Sequence, residues 1–250
     1  MAGHSKWANI KHRKGAQDAK RSKVFSKLGR EITVAAKLGG EDPDMNPRLR
    51  LAVSTARGQS MPKDAIERAI KKGAGSTDGE DYSEIRYEGY GPNGVAVIVE
   101  CLTDNKNRTA SEVRTIFGKN GGNLGETGSV GFMFDRIGEI VYPADKASAD
   151  EMFEAGVEAG ASNVESDNEF HNVTTEPDDF GAVLDALTKK YGEPERSGLA
   201  WAANIQSEQD ESSAAKVLNL VDLLEDNDDV QNVTTNMDVS DEIMEKLLSA

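Results

Sequence analysis

The stretch that decides the fold is residues 138–203, which read GEIVYPADKASADEMFEAGVEAGASNVESDNEFHNVTTEPDDFGAVLDALTKKYGEPERSGLAWAA. Short runs rich in β-branched and aromatic residues alternate here with longer runs of helical apolar spacing. The predicted elements are a strand at 138–142, a helix at 148–159, strands at 163–166 and 169–175, a helix at 178–189 and a strand at 198–203. This β-α-β-β-α-β succession is that of ferredoxin-like domains.

Similar elements flank this stretch on both sides, which indicates that it is inserted into another domain. The flanking elements predicted are strands at 85–90, 95–102 and 129–134, a helix at 107–119, a later helix at 214–226 and a strand at 230–236. The last helix and strand would complete a β-α-β unit that is interrupted after residue 134. We therefore expect a split α/β domain of residues 80–135 plus 205–250, with residues 136–204 inserted in it.

The first 75 residues show helical periodicity instead. Helices are predicted from Gln17 to Leu38, where Gly39-Gly40 supplies a stop, from Pro47 to Arg57, and from Pro62 to Gly73. A stretch rich in Gly, Ser and Asp then marks a linker. The expected fold class is α+β with three domains: an N-terminal helical bundle, residues 1–75, followed by two ferredoxin-like α/β domains, the third inserted in the second.

The net charge of −15 would argue against nucleic acid as a partner, but the charges are unevenly distributed. Residues 1–75 contain 17 Lys and Arg against 7 Asp and Glu, a net of +10. Residues 76–250 contain 12 against 37, a net of −25. A basic third on an acidic body indicates a nucleic-acid-binding surface, although a basic helix can also be only a solvated face.

Several classes of protein are excluded. The single Cys101 cannot form a disulfide within the chain and fits a reducing compartment, so a cytoplasmic location is expected. The longest apolar run, Val95 to Val99, is too short to span a membrane, and no apolar segment of a signal peptide follows the N-terminus. His4, His12 and His171 do not share metal-ligand spacing with Cys101. We expect no metal or other cofactor, no membrane partner and no small-molecule substrate.

No enzymatic activity is indicated either. The many carboxylates show no spacing that singles out a catalytic pair. The glycine-rich run Gly118 to Gly131 lacks the Gly-Lys-Ser/Thr ending of a P-loop. Its glycines are expected to shape turns or to let the backbone approach a large partner.

The candidate nucleic-acid-binding side chains lie within the first thirty residues. Cations there would neutralise phosphates, and the flat rings of Trp7 and His12 would stack on an exposed base. The candidates are Lys6, Trp7, Lys11, His12, Arg13, Lys14, Lys20, Arg21, Lys23, Lys27 and Arg30. Trp7 has an alternative role as an anchor of the N-terminal arm. A recognition helix starting at Pro62 would offer only Lys63, Asp64 and Arg68, so backbone binding is favoured over base readout.

A second phosphate contact is predicted at Lys106, Asn107, Arg108 and Thr109, which lead into a helix after a buried strand. Unpaired N–H groups at the helix start and two cations would hold a phosphate. The favoured alternative is ordinary capping, by Thr109 in a capping box with Glu112 or by Asn107.

Several motifs are shared with one family. They are Ala2–Lys14, Met61–Asp64, Ala69–Gly73, Tyr87–Pro92, Thr103–Thr109 and Gly121–Val130. The chain closely resembles the YebC/PmpR family of bacterial proteins, which are described as transcriptional regulators. The mitochondrial translational activator of cytochrome oxidase is similar. The resemblance implies three domains with the third inserted in the second, and a regulator of gene expression.

The expected function is that of a non-enzymatic DNA-binding transcriptional regulator. The alternative is a ribosome-associated translation factor that binds structured ribosomal RNA, which the lack of a clear recognition helix favours. A third hypothesis is a protein-interaction module whose basic patch meets an acidic protein.

Overall fold

The structure, a computed structural model, describes residues 18–75 and 82–249. These residues form two compact units, each built from separate stretches of chain. The first unit consists of the described residues within Met1–Lys27, Asp78–Asp135 and Ala202–Ala250, and the second of those within Leu28–Thr77 and Arg136–Trp201. The helical region from Leu28 onward and most of the inserted region therefore share a unit. The division into three domains stays a prediction.

The described helices and strands are numbered in chain order. The helices are α1 (Asp18–Gly39), α2 (Pro47–Gly58), α3 (Lys63–Ala74), α4 (Lys106–Lys119), α5 (Ala149–Ala159), α6 (Phe180–Tyr191), α7 (Glu211–Glu225) and α8 (Asp241–Ser249). The strands are β1 (Ser83–Tyr90), β2 (Ala96–Thr103), β3 (Asn123–Leu124), β4 (Phe134–Pro143), β5 (Asn163–Ser166), β6 (Phe170–Thr175), β7 (Arg196–Ala203), β8 (Ser207–Glu208), β9 (Val230–Thr235) and β10 (Met237–Asp238). The mixture of an N-terminal helical region with following sheets confirms the expected α+β class.

Two side chains and one glycine hold α1 to α2 and α3. Asn46, the N-cap of α2, donates to the carbonyl of Ala35 at 2.8 Å, and its own Oδ1 accepts from the N–H of Leu49 at 3.1 Å. The Thr33 hydroxyl hydrogen-bonds the carbonyl of Ala69 at 3.2 Å. A Cβ at Gly73 would collide with the carbonyl of Thr33. Gly73 lies inside α3, so it serves close helix packing rather than the predicted helix stop.

The sheet of the second unit has the strand order β5-β6-β4-β7. Strand β4 pairs antiparallel with β6, where Ile140 faces Val173, and β6 pairs antiparallel with β5. Helices α5 and α6 bury Met152 and Leu187 against this sheet, and Leu51 of α2 packs against the same core. The β-α-β-β-α-β succession of this region is the one predicted from the sequence.

The larger sheet of the first unit has the order β3-β1-β2-β9, with antiparallel pairing between each neighbouring pair, and β8 and β10 form a separate parallel pair. Strand β2 is buried along nearly its whole length, as its continuous apolar run predicts. Helices α4 and α7 cover the sheet, with Phe117 and Leu220 fully buried. Cys101 is buried in this core, and burial raises the pKa of its thiol to about 12, as expected for an inert thiol.

The predicted strand Ser129–Phe134 is wrong. Residues Gly131–Met133 form a 3-10 turn, and Phe134 begins β4, which belongs to the other sheet. The backbone N–H groups of Val130 and Gly131 bond to a buried carboxylate instead of a neighbouring strand. After α1, the elements of the first unit follow the order β1-β2-α4-β3-β8-α7-β9-β10-α8. This order differs from the β-α-β-β-α-β order of the ferredoxin-like domain predicted for it.

Within residues 18–75 and 82–249, no helix combines the length and the apolar character needed to cross a membrane.

Candidate nucleic-acid interface

The predicted interface residues fall into two groups. Lys6, Trp7, Lys11, His12, Arg13 and Lys14 lie outside the described residues. Lys20, Arg21, Lys23, Lys27 and Arg30 all lie in α1, and this confirms the helix predicted for that stretch. Their binding role stays a prediction.

Lys23 and Lys27 contact the C-terminal end of α7. The ammonium of Lys23 lies 2.7 Å from Oδ1 of Asp226 and donates to the backbone carbonyl of Asp226 at 3.1 Å. The ammonium of Lys27 donates to the carbonyl of Glu225 at 2.6 Å. Cations are favoured at this end of a helix because its last carbonyls have no partner within the helix and carry the negative end of the dipole. Two of the predicted phosphate ligands are therefore engaged within the first unit.

Burial lowers the pKa of Lys27, and the nearby carboxylates of Glu225 and Asp228 oppose that shift. This contact could not be read from the sequence pattern, since the two partners are separated by about two hundred residues.

Two cations of α3 form ion pairs with carboxylates one turn away, on the surface of the second unit. Arg68 lies 2.9 Å from Asp64, and Lys63 lies 3.8 Å from Glu67. Exposed pairs between residues one turn apart contribute little to stability, so a phosphate would displace them readily.

Lys71 lines an open groove of about 550 Å³ at the C-terminal ends of α1 and α3.

The loop before α4 is organised around one buried carboxylate, that of Asp229. Its Oδ2 accepts hydrogen bonds from the hydroxyls of Thr103 at 3.0 Å and Thr109 at 2.7 Å. The guanidinium of Arg108 donates to the same oxygen at 2.7 Å. Burial would raise the pKa of Asp229, but these donors stabilise its charged form and hold the pKa below the ordinary value. The loop is thereby tied to the residue that precedes β9.

The cap of α4 differs from both predictions. Asn105 is the N-cap, and its Oδ1 accepts from a backbone N–H one turn into the helix at 3.1 Å. Neither Asn107 nor Thr109 caps the helix. Asn107 lies inside its first turn, and the Thr109 hydroxyl donates to the buried carboxylate of Asp229. Glu112 makes no capping box and instead accepts a hydrogen bond from Asn227 at 2.7 Å. Ordinary capping was the right expectation, assigned to the wrong residues.

The residues proposed as a second phosphate contact therefore differ in their exposure and in their partners. Lys106 and Asn107 are exposed in the first turn of α4. Arg108 is held by two carboxylates, at 2.8 Å from Asp104 and 2.7 Å from Asp229. A phosphate at Arg108 would compete with both, and the proposed contact stays a prediction.

The glycine-rich run is shaped around a second buried carboxylate, that of Glu88. Its Oε2 accepts from the N–H groups of Val130 at 3.0 Å and Gly131 at 2.8 Å, and its backbone carbonyl accepts from Gly125 at 2.8 Å. Burial alone would raise the pKa of Glu88. Hydrogen bonds from Val130, Gly128 and Gly131 outweigh burial, and the pKa lies below the ordinary value. These hydrogen bonds fix turns within the run, in line with the expectation that its glycines shape turns.

The two buried carboxylates differ in whether the sequence marks them. Glu88 lies within the Tyr87–Pro92 motif. Asp229 lies in an acidic run that carries no motif, and no spacing distinguishes it from its exposed neighbours.

Both ring nitrogens of His171, in the second unit, form hydrogen bonds within the protein. Nδ1 of His171 is hydrogen-bonded to the Ser166 hydroxyl at 2.7 Å, and Nε2 to the carbonyl of Ala147 at 3.0 Å. Among the described residues, no three His, Cys, Asp or Glu side chains come together as metal ligands.

Comparison with known proteins identifies two matching family models. The first, whose name denotes transcriptional regulation, describes the TACO1/YebC second and third domain and matches residues 82–237. The second describes the TACO1/YebC protein N-terminal domain and matches residues 5–76.

One solved structure with a high similarity is that of Aq1575, a conserved hypothetical protein from Aquifex aeolicus. It shares 46% sequence identity with this chain at a TM-score of 0.84, over 91% of this chain and 94% of that one.

Proposed function

The chain belongs to the TACO1/YebC family, and on that premise we propose that it is a DNA-binding regulator of transcription. The name of the matching family model supports regulation of transcription. Binding to nucleic acid is the means by which such a regulator would act, without chemistry of its own. We place this role in the cytoplasm.

One observation carries the proposal: the positive charge is concentrated in the part of the chain that matches the N-terminal family domain. Residues 1–75 carry a net charge of +10 on a chain whose remaining residues carry −25. Phosphate neutralisation by such a region supplies affinity through the release of counterions. The acidic remainder would repel phosphate and so confine binding to the basic region.

The expected mode is contact with the nucleic-acid backbone rather than base readout. Lys63 and Arg68 on α3 each pair with a carboxylate of their own helix. A helix that reads bases should instead present several donors at its N-terminal end. The cations of α1 and the segment before it are suited to phosphates, which carry no sequence information.

The test is titration of the full chain against a short labelled duplex DNA at several salt concentrations. If about six cations contact phosphates, log K should fall with log [salt] at a slope of roughly −5. Lys11→Ala should make that slope shallower by about 1. Lys216→Ala, which removes an exposed cation from α7, is the matched control and should change neither affinity nor slope. A wild-type slope near zero would overturn the proposal.

The choice of DNA is tested in cells. Crosslinking followed by sequencing of both nucleic acids should recover DNA. Recovery of ribosomal RNA alone would overturn transcriptional control and favour the translation-factor alternative. Trp7→Ala adds a second discrimination. For a regulator of duplex DNA the change should be nearly neutral on duplex DNA, single-stranded DNA and structured ribosomal RNA, or should lower stability by unpacking the arm. For a ribosome-associated factor it should weaken binding to single strands and structured RNA and leave duplex binding nearly intact.

A further inference from the structure

The contact between α1 and the C-terminal end of α7 has the features of an autoinhibitory contact. We propose that residues 225–228, here called the acidic turn, occupy lysines that would otherwise bind phosphate. The acidic turn reads Glu-Asp-Asn-Asp. This inference rests on the proposed function, since it concerns the same basic helix.

The acidic turn offers Lys23 the kind of ligand that a phosphate would offer. One carboxylate oxygen and one carbonyl oxygen of Asp226 lie within 3.1 Å of the Lys23 ammonium. An ammonium is a compact point charge that accepts phosphate, carboxylate or carbonyl oxygens alike. A DNA phosphate and the acidic turn would therefore compete for one cation.

The two lysines differ in how easily they would be released. Lys27 is half-buried, and its partner is a backbone carbonyl of Glu225, which suits a permanent role in anchoring α1. The side chains of Lys23 and Asp226 are 40% and 66% exposed. Exposed ion pairs are weak, so nucleic acid would displace the Lys23–Asp226 pair. Lys23 is thus the exchangeable part of the contact.

The acidic turn also acts at longer range. Glu225, Asp226 and Asp228 all lie close enough to influence Lys27 electrostatically. A phosphate that approaches this end of α1 comes within about 10 Å of the same charges, a distance over which salt screens them only partly. The acidic turn would lower affinity both by occupying Lys23 and by repelling the incoming phosphate.

The decisive variant is Asp226→Asn in the full chain, which removes the carboxylate and keeps the backbone carbonyl that bonds Lys23. Affinity for a short labelled duplex DNA should rise about two- to five-fold, the range expected for loss of an exposed ion pair. Because Lys23 then adds one phosphate contact, the slope of log K against log [salt] should steepen by about 0.9. Glu211→Gln, the same change of charge at the opposite end of α7, is the matched control and should alter neither quantity.

A double-mutant cycle tests whether Lys23 is the cation released. Lys23→Ala should have little effect on DNA affinity in the wild type, where the acidic turn already holds Lys23. It should cancel the gain when combined with Asp226→Asn. A contact that only caps α7 would lower the melting temperature in either single variant and leave affinity and slope unchanged, which would overturn the inference.

The outcomes separate this inference from the proposed function. DNA binding by the wild type with no gain in Asp226→Asn overturns autoinhibition alone. Absence of DNA binding by both proteins overturns both. Binding that appears or strengthens in Asp226→Asn, and is lost again with Lys23→Ala, supports both.

Discussion

At the scale of single residues, two positions stabilise the fold through contacts with residues that are distant in the sequence. Gly73 is where α3 approaches α1, and an added Cβ would lie 2.9 Å from that of Ala36. Glu88 is where three backbone N–H groups of a later loop find their acceptor. Both residues are therefore set by packing partners rather than by local propensity.

Gly73→Ala should destabilise the second unit by about 1 to 3 kcal/mol, the usual cost of overpacking. Gly118→Ala is the control, because Gly118 is likewise the second-to-last residue of its helix but a Cβ there would meet no atom within 4 Å. That change should leave stability unaltered or raise it by about 0.5 to 1 kcal/mol through helix propensity. Chemical denaturation measures both, and equal effects would contradict the close-packing role of Gly73.

Glu88→Gln should lower stability at neutral pH by about 2 kcal/mol or more, because buried N–H donors lose a charged acceptor. The folded-state pKa of Glu88 lies below its ordinary value of 4.5. Its stabilisation is thus fully present above that value and is lost as the pH falls through the lowered folded-state pKa. The difference in unfolding free energy between wild type and variant should therefore shrink in acid.

Denaturation of both proteins at neutral and acidic pH measures this difference. Glu84→Gln on the same strand is the control, since Glu84 is exposed. A difference that does not change with pH would show that the Glu88 carboxylate is not the stabilising form.

At the scale of elements, α4 depends on a carboxylate supplied by the residue before β9. Asp104 and Asp229 lie 2.8 and 2.7 Å from the same Arg108 nitrogen, yet their side chains are 39% and 4% exposed. Burial is what distinguishes them, because a buried carboxylate that loses its charge leaves its donors with a weaker, uncharged acceptor that water cannot replace.

Asp229→Asn should therefore lower the free energy of unfolding by about 2 to 3 kcal/mol, and Asp104→Asn should change it little. Urea denaturation measures the total cost, and hydrogen exchange of the first turn of α4 should accelerate in Asp229→Asn alone. Equal sensitivity of the two carboxylates would contradict the clamp described for Asp229.

Most elements could be predicted from local pattern, and the errors have a common cause. The strand at 163–166 and the helices around 18–39 and 106–119 follow from their own periodicity. The strand predicted at 129–134 was wrong because Glu88 captures the N–H groups of that loop. The cap of α4 was assigned to Thr109 because the true partner of its hydroxyl, Asp229, is 120 positions away and is not visible in the local pattern. The ion pair between Lys23 and Asp226 could not be predicted for the same reason, since the two residues are 203 positions apart.

At the scale of the whole molecule, the helical region from Leu28 onward and the inserted region form one compact unit. Leu51 packs against the core of β4, β6, α5 and α6, and the Ser54 hydroxyl donates to Glu193 at 2.8 Å. The inserted region therefore contacts residues that precede it in the sequence by about eighty positions or more.

A chain that starts at residue 76 should consequently have a destabilised inserted region. Hydrogen exchange of β6 should be faster in this fragment than in the full chain, because the contacts of Leu51 and Ser54 are gone. Strand β2 is the internal reference, since among the described residues the core around it contains none from 18–75. Unchanged protection of β6 would show that the inserted region is stable without the helices.

The order of strands in the first unit has a consequence for synthesis of the chain. Strand β2 pairs with β9, but roughly 130 residues separate Thr103 from Val230. At typical rates of translation this interval lasts on the order of 10 s, during which one edge of an almost wholly apolar strand has no native partner. Open apolar edges pair with other chains. The nascent chain is thus most prone to aggregate just before its last strand emerges, and a chain terminated before Val230 would keep that edge permanently.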